Sequence, residues 1–215
     1  TGDPRESRRV IKAYDAAGIP IAVNYFRRWD PRIIELREQL ASGVWGRLQA
    51  IGGLYAKGLF NSGSHFFDLI HFLIGPLEPL KILGRVGDGR IDDPTLSVFL
   101  RTDAGAPVTL LGVNDQFFYP FEIDIVLELG RISIEDLGGR LRLRRVQTHP
   151  KYQNQRTLDD GLWENTKMDF ALPGALNNIF ANLSVGDPLA SNAETALQAE
   201  ELCAEIMEIE KKGES

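Results

Sequence analysis

The sequence predicts an α+β fold in which a largely antiparallel open sheet carries helices on one face. Two observations support this prediction. Segments that alternate apolar with polar residues follow one another through the middle of the chain and are joined by short turns. Helical patterns with capping residues stand before and after this series. Strands grouped in this way indicate antiparallel pairing, with the flanking helices packed on one face of the sheet.

Most of the predicted elements have a start or stop signal in the sequence. Three capping patterns begin helices, namely Asp3-Pro4, Asp30-Pro31 and Ser191-x-x-Glu194. Gly18 and Gly43 end the first two of these helices. The predicted strands cover residues 20 to 26, 47 to 55, 79 to 86, 95 to 102, 107 to 114, 121 to 129, 131 to 136 and 140 to 147.

The stretch from Asn61 to Pro76, NSGSHFFDLIHFLIGP, predicts a helix that is packed on several sides. Asn61, His65 and Asp68 follow one another at steps of four and three residues, so we expect them to share one side of this helix. Apolar residues cover most of the remaining circumference, and Gly75 ends the helix. A polar stripe on such a helix must face a pocket, a partner domain or buried hydrogen-bond partners.

Three motifs, in this order along the chain, resemble those of the glucose-fructose oxidoreductase / inositol dehydrogenase / rhizopine-catabolism (Gfo/Idh/MocA) family. Residues 21 to 31, IAVNYFRRWDP, resemble a strand that ends in a double Arg, an aromatic residue and Asp-Pro. Residues 42 to 48, SGVWGRL, resemble the turn that comes next. The helix from Asn61 resembles the family's catalytic helix, in which a small polar residue precedes the active-site His by four positions and an Asp follows it by three.

The resemblance implies a longer enzyme that begins with a Rossmann domain binding NAD or NADP. This chain contains no G-x-G-x-x-G fingerprint, and the family's catalytic Lys, in a Glu-Lys-Pro motif, would lie immediately upstream of Thr1. We therefore expect residues 1 to 26 to be the last helix and strand of that Rossmann domain. Residues 27 to 215 would form an α+β substrate-binding and oligomerisation domain. We expect the chain alone to bind no dinucleotide and to be inactive.

The resemblance also implies roles for individual residues. His65 is the candidate for the catalytic proton transfer, since its unperturbed pKa of about 6.5 lets an imidazole exchange a proton near neutrality. The amide of Asn61 can only donate and accept hydrogen bonds, so it would orient the substrate. The remaining candidates are Arg27, Lys57 and Tyr119 as substrate contacts, Asn24, Tyr25 and Phe26 beside the cofactor, and Asp68 and Arg28 as groups that brace the site from behind.

Simpler interpretations remain open for each of these residues. His65 could be a buried histidine with satisfied hydrogen bonds, and Asn61 a helix cap. Arg28 could form an ordinary Arg–Asp pair in a turn, worth about 0 to 1 kcal/mol if exposed. Lys57 and Tyr119 could be a surface lysine and a packing tyrosine. The three histidines have no recognisable metal-ligand spacing.

Composition and charge limit the function class. The net charge of -6 argues against nucleic acid as the main partner. The single cysteine, Cys203, excludes an intrachain disulfide and fits a reducing compartment, so we expect a cytoplasmic protein. No apolar run reaches the roughly 20 residues that a transmembrane helix needs, and we expect no membrane partner.

The sequence predicts that the chain supplies the substrate side of an NAD(P)-dependent oxidoreductase for a sugar, a sugar derivative or a cyclitol. The alternative is a stand-alone ligand-binding, regulatory or oligomerisation module without catalysis. Residues 121 to 129 and 140 to 147 each alternate apolar with charged side chains, so one sheet face is expected to be charged. The resemblance to the Gfo/Idh/MocA family implies that the sheet face without helices forms a subunit contact. We therefore expect a homo-oligomer that associates through a polar sheet surface.

Overall fold

The computed structural model describes residues 2 to 213. Its helices are α1 Pro4–Ala16, α2 Pro31–Ala41, α3 Ser64–Leu73, α4 Ala171–Val185 and α5 Ala193–Gly213. Its strands are β1 Leu48–Tyr55, β2 Leu77–Arg85, β3 Leu96–Thr102, β4 Pro107–Gly112, β5 Phe121–Leu127, β6 Gly130–Glu135, β7 Arg140–Thr148, β8 Arg156–Leu158 and β9 Trp163–Asn165.

All nine described strands belong to one open sheet, in the order β2-β3-β4-β1-β5-β6-β7-β8, with β9 also paired to β7. Neighbouring strands run antiparallel except β1 and β4, which are parallel. The parallel pair arises because β2 and β3 separate β1 from β4 along the chain. The predicted α+β fold with a largely antiparallel open sheet is therefore confirmed.

Helix α3 packs directly on the inner face of the sheet. Phe66, on α3, lies so close to Gly53 of β1 that a Cβ atom at position 53 would stand 2.2 Å from the ring. Phe66 also contacts Phe121 of β5 in an edge-on arrangement, with 6.3 Å between the ring centroids. Glycine at position 53 thus permits the close approach that places α3, and His65 with it, against the sheet.

The N-terminal region differs from the sequence prediction at residues 20 to 26. These residues are extended but form only one isolated bridge, between Ala22 and Asn192. Val23 adds a hydrogen bond from its backbone N–H to the carbonyl of Ser191, at 3.2 Å. The predicted strand is wrong for this structure because no described strand lies alongside it to form a ladder.

Several elements after residue 148 were not predicted. The short strands β8 and β9 both pair with β7, and α4 precedes the predicted C-terminal helix. Helix α4 packs against the turn at Phe26–Trp29, where the indole N–H of Trp29 donates to the side-chain oxygen of Asn178 at 3.0 Å. Helix α4 therefore covers the turn that carries Arg27 and Arg28.

Helix α5 begins one residue later than the Ser191-x-x-Glu194 pattern predicts. Its cap is Asn192, whose side-chain oxygen accepts from the backbone N–H of Thr195 at 2.9 Å, while the buried Ser191 hydroxyl has no hydrogen-bond partner within residues 2 to 213.

Candidate functional site

Two adjacent buried arginines lie at the centre of the molecule. A 3-10 turn, Phe26–Trp29, carries them, and Asp30 ends the turn and caps α2 by accepting from the backbone N–H of Arg32 at 2.8 Å. Arg27 is only 7% exposed and Arg28 only 6%. Because they are neighbours in a tight turn, the two guanidinium groups reach different surroundings.

Arg28 is paired with the carboxylate of Asp68 on α3. Its Nε lies 2.9 and 3.0 Å from the two carboxylate oxygens, and its Nη2 lies 2.9 Å from Oδ1. Its Nη1 donates to the carbonyl of Ala190 at 3.2 Å. Burial raises the pKa of Asp68 to about 6, although the Arg28 guanidinium acts in the opposite direction. Near neutral pH this is a buried ion pair that fixes α3 to the turn.

Arg27 points to the other side and has no carboxylate partner among the described residues. Its guanidinium lies between two aromatic rings, 3.7 Å from the centroid of Phe121 and 4.6 Å from that of Phe26. Its Nη2 donates to the carbonyl of Leu137, and its Nε is buried without a hydrogen-bond partner. Burial lowers the pKa of Arg27 to about 10, so the side chain is still charged at neutral pH.

His65 and Arg27 line the same cleft, which has a volume of about 350 Å³. Tyr25 and Phe26 flank the imidazole, with ring centroids 5.0 and 6.0 Å from it. Burial, and then the positive charge of Arg27, lower the pKa of His65 to about 4. The imidazole is therefore neutral at pH 7. We call this the His65 cleft; its lining is Phe26, Arg27, Ser62, His65, Tyr119, Phe121, Asp136, Leu137, Gly139 and Met168.

The helix motif is divided into two parts, which separates Asn61 from His65. Leu59–Gly63 is a π-helical turn, and regular α-helix begins only at Ser64. Asp93 caps this turn, since its carboxylate accepts from the backbone N–H of Phe60 at 2.7 Å and of Asn61 at 3.1 Å. The motif therefore does not form one continuous α-helix.

The three residues of the expected stripe, Asn61, His65 and Asp68, have different surroundings in the structure. Asn61 is exposed and lines a larger, mainly apolar cleft of about 640 Å³ between α1 and α5. His65 lines its own cleft, and Asp68 is buried against Arg28. Tyr25 borders the larger cleft and also touches His65. The smaller cleft is the stronger candidate site because it combines a titratable group with a buried cation.

Ser62, and not Asn61, lines the His65 cleft. The Tyr119 hydroxyl donates to the Ser62 hydroxyl at 3.3 Å, and both residues line the cleft. Lys57 is exposed and places its ammonium 4.9 Å from the centroid of the Tyr119 ring. Asn24 is exposed and borders neither cleft. The structure thus brings Tyr119 to His65 and leaves Lys57 at the margin.

The hairpin between β6 and β7 supplies part of the cleft that the sequence analysis missed. Asp136, Leu137 and Gly138 all have positive φ, at 53°, 56° and 95°. Such a conformation is uncommon for non-glycine residues and clusters at functional sites. A Cβ at Gly138 would lie 2.6 Å from the Nε of Arg27, so glycine is required where the hairpin covers the guanidinium. The Gly138-Gly139 pair was a usable turn signal, although it could not reveal this contact.

The described residues include neither a metal-ligand cluster nor a membrane-spanning helix. From residue 2 to residue 213, no group of three or more His, Cys, Asp or Glu side chains is arranged to hold a metal ion. Over the same range, no helix has the length and apolar character that crossing a bilayer requires.

No protein-family model and no curated protein matches this sequence. The fold, however, is similar to that of solved dehydrogenases. It matches the WlbA dehydrogenase from Bordetella pertussis, solved with NADH and UDP-GlcNAcA, with a TM-score of 0.77 and 19% identity over 99% of this chain and 68% of that one. It also matches the UDP-N-acetylglucosamine 3-dehydrogenase GnnA from Acidithiobacillus ferrooxidans, with a TM-score of 0.68 and 15% identity over 97% of this chain and 67% of that one.

A third solved structure with this fold is a repressor. The super-repressor mutant of Gal80p from Saccharomyces cerevisiae matches with a TM-score of 0.75 and 11% identity, over 99% of this chain and 69% of that one. The dehydrogenase neighbours are oxidoreductases of the Gfo/Idh/MocA type, as the sequence resemblance indicated. At these identities the comparisons establish the fold, and the function must be argued from the site.

We expect the Arg28–Asp68 pair to contribute strongly to stability through its burial. Arg28→Met or Asp68→Leu alone should lower the free energy of unfolding by about 3 to 5 kcal/mol, because each leaves an uncompensated buried charge. The double variant should lose much less than the sum of the two. Urea denaturation of the four proteins measures this coupling.

The half-exposed pair Arg101–Glu78 provides the matched control, with an expected coupling of about 0 to 1 kcal/mol. Additive effects at Arg28 and Asp68 would contradict their assignment as an ion pair.

Proposed function

We propose that this chain forms the substrate side of an NAD(P)-dependent oxidoreductase that acts on a sugar, a sugar derivative or a cyclitol. The observation that carries the proposal is the cleft in which a neutral histidine and a buried cation meet. Its volume of about 350 Å³ falls within the range of small-molecule sites, about 300 to 1,000 Å³. WlbA and GnnA, which share the fold, are dehydrogenases, and WlbA was solved with NADH.

The residues of the cleft have the properties that alcohol oxidation or carbonyl reduction requires. When bound, the nicotinamide would accept or supply the hydride. In alcohol oxidation, the uncharged ring of His65 would accept the hydroxyl proton at one of its nitrogens. In carbonyl reduction, the protonated ring would return that proton to the oxygen. The Ser62 and Tyr119 hydroxyls, 3.3 Å apart, would orient neighbouring substrate oxygens. Arg27 would stabilise negative charge as it develops on oxygen.

The residues proposed to border the cofactor fit a flat ring better than a pyrophosphate. Tyr25 and Phe26 both place aromatic rings next to His65, which suits a nicotinamide. A dinucleotide is held mainly by a Gly-rich turn at a helix N-terminus, and this sequence contains no such fingerprint. The proposal therefore assigns the dinucleotide to a Rossmann domain outside this chain, with residues 1 to 26 as its last unit and residues 27 to 215 as the substrate domain.

A ligand-binding or regulatory module is the second candidate. The repressor Gal80p has the same fold, which shows that this architecture also serves proteins that regulate. Such a module would keep the cleft without needing proton transfer at His65. The two candidates therefore differ in whether replacing His65 abolishes a chemical step or only weakens binding.

We also propose that the outer face of the sheet contacts a second copy of the chain. Leu111 and Val126 on this face are 41% and 38% exposed, near the centre of the sheet. Beside them Asp124 and Arg131 form a half-exposed pair at 2.6 Å. An apolar centre with a charged surround is the usual composition of a protein interface.

The His65 assignment is tested in the longer protein encoded with its upstream region. His65→Ala should lower NAD(P)-linked turnover by about 10² to 10⁴-fold, because it removes the proton-transfer group, while cofactor affinity stays nearly unchanged. His71→Ala is the matched control, since His71 lies on the same helix, is also neutral through burial, and lines neither candidate cleft.

Wild-type turnover in His65→Ala would contradict the proposal and favour the regulatory module. Calorimetry on the 215-residue chain adds an independent check. Micromolar binding of NAD or NADP to that chain would mean that it contains a dinucleotide site which the proposal does not recognise.

For the sheet contact, we expect sedimentation velocity to show a homo-oligomer whose stability depends on salt, since charged side chains surround the apolar centre. Leu111→Arg should dissociate it by placing a charge at the centre of the interface. Ile91→Arg, at a loop position that is 83% exposed, should leave it intact. A monomer that does not change with protein concentration at low and at high salt would contradict this proposal.

A further inference from the structure

Arg27 and Arg28 are equally buried but have different hydrogen-bond partners. Arg28 has a carboxylate, Asp68, and a backbone carbonyl as acceptors. Arg27 has one acceptor, the Leu137 carbonyl, although a guanidinium carries five N–H donors. Removing a charge from water without pairing it costs several kcal/mol, and buried charges in proteins are accordingly paired. Arg27 is an exception to that rule, and it lines the His65 cleft.

The surrounding groups do not replace a counter-ion. Phe26 and Phe121 attract the cation through their π faces, but they leave the N–H donors in the guanidinium plane without acceptors. Asp136 also lines the cleft, yet it forms no ion pair with Arg27. The charge of Asp68 acts on Arg27 without direct contact, since its carboxylate oxygens are bonded to Arg28. With His65 neutral, the wall beside Arg27 carries an uncompensated positive charge.

We propose that the His65 cleft binds an oxyanion, so that the substrate is a sugar acid or a sugar phosphate rather than a neutral sugar, with Arg27 as its anchor. This inference rests on the proposed role of the cleft as the substrate site. A planar guanidinium matches carboxylate and phosphate oxygens in a bidentate manner, which a lysine in the same place would not do. The anion would supply the missing charge and accept the donors that Leu137 leaves unused.

The anion would also alter His65. The positive charge of Arg27 is one of the two causes that lower the pKa of His65. An anion bound at Arg27 offsets that charge and raises the pKa of the imidazole toward its ordinary value. Binding is then coupled to proton uptake, and the anion binds more tightly as the pH falls from 7 toward 5. A neutral sugar at the same place has no such dependence.

The test compares D-glucuronate and D-glucose 6-phosphate with D-glucose on the 215-residue chain, by calorimetry at pH 7. At least one of the two anions should bind about tenfold or more tightly than glucose. The anion that binds more tightly shows whether the cleft prefers a carboxylate or a phosphate. Arg27→Gln should abolish the preference, and Arg27→Lys should retain part of it. Arg101→Gln, on β3 and outside the cleft, should retain all of it.

A measurement on the wild-type chain keeps the test independent of how the variants fold. Saturation with the preferred anion should raise the pKa of His65, read from its ring protons by NMR. Equal affinity for all three sugars, or binding of neither anion, would overturn the inference. If turnover in the longer enzyme depends on His65 but accepts only neutral sugars, the inference fails while the proposed function stands. If the anion binds in an Arg27-dependent way but the longer enzyme shows no NAD(P)-linked turnover, the proposed function fails while anion binding in the cleft stands.

Discussion

The buried ion pair between Arg28 and Asp68 determines the geometry of the site. It joins the 3-10 turn at Phe26–Trp29 to helix α3, two segments that are separated by 40 positions in sequence. With α3 seated on the sheet at Gly53, this pair fixes the turn relative to the sheet. Because Arg28 is held on one side, Arg27 is directed to the other, where the His65 cleft lies.

The opposite placement of Arg27 and Arg28 explains the positive charge of the cleft. One guanidinium neutralises the only buried carboxylate of α3, and the other remains as a charge beside His65. A neutral imidazole next to a desolvated cation is an arrangement that stabilises negative charge on a ligand. The Asp136–Gly138 hairpin, with its strained backbone, holds the cation in place through the Leu137 carbonyl. These contacts favour a ligand site over a purely structural role for the cleft.

Local sequence patterns predicted the fold well where periodicity decides the structure. Strand β5 lies within the predicted residues 121 to 129, because alternating burial leaves only one register that hides its apolar side chains. Helices α2 and α3 each end two residues before the glycine that predicted their end, Gly43 and Gly75. The pairing of Arg28 with Asp68, by contrast, depends on tertiary packing. The sequence could name both residues as supporting groups, but only the structure shows that they support each other.

The failures of the sequence prediction have physical causes. The π-helical turn before Ser64 is stabilised by Asp93, a residue remote in sequence, so the motif alone could not show that Asn61 lies in such a turn. Residues 20 to 26 have strand-like composition but lack a neighbouring strand to pair with. The positive φ of Leu137 has no sequence signature, since leucine rarely adopts it.

Burial and the charge of Arg27 keep His65 neutral at physiological pH. The low pKa of His65 makes stability fall as pH decreases from about 6.5 to about 4, since the unfolded chain binds the proton more tightly. The raised pKa of Asp68 acts in the opposite direction between about 4 and about 6. A stability curve would mix these effects with that of His71, whose pKa is also lowered to about 4 by burial.

The most direct measurement is therefore an NMR titration of the His65 ring protons in the wild type and in Arg27→Gln. The account predicts a pKa of about 4 in the wild type and a higher value in the variant. A pKa near 6.5 in both proteins would contradict it.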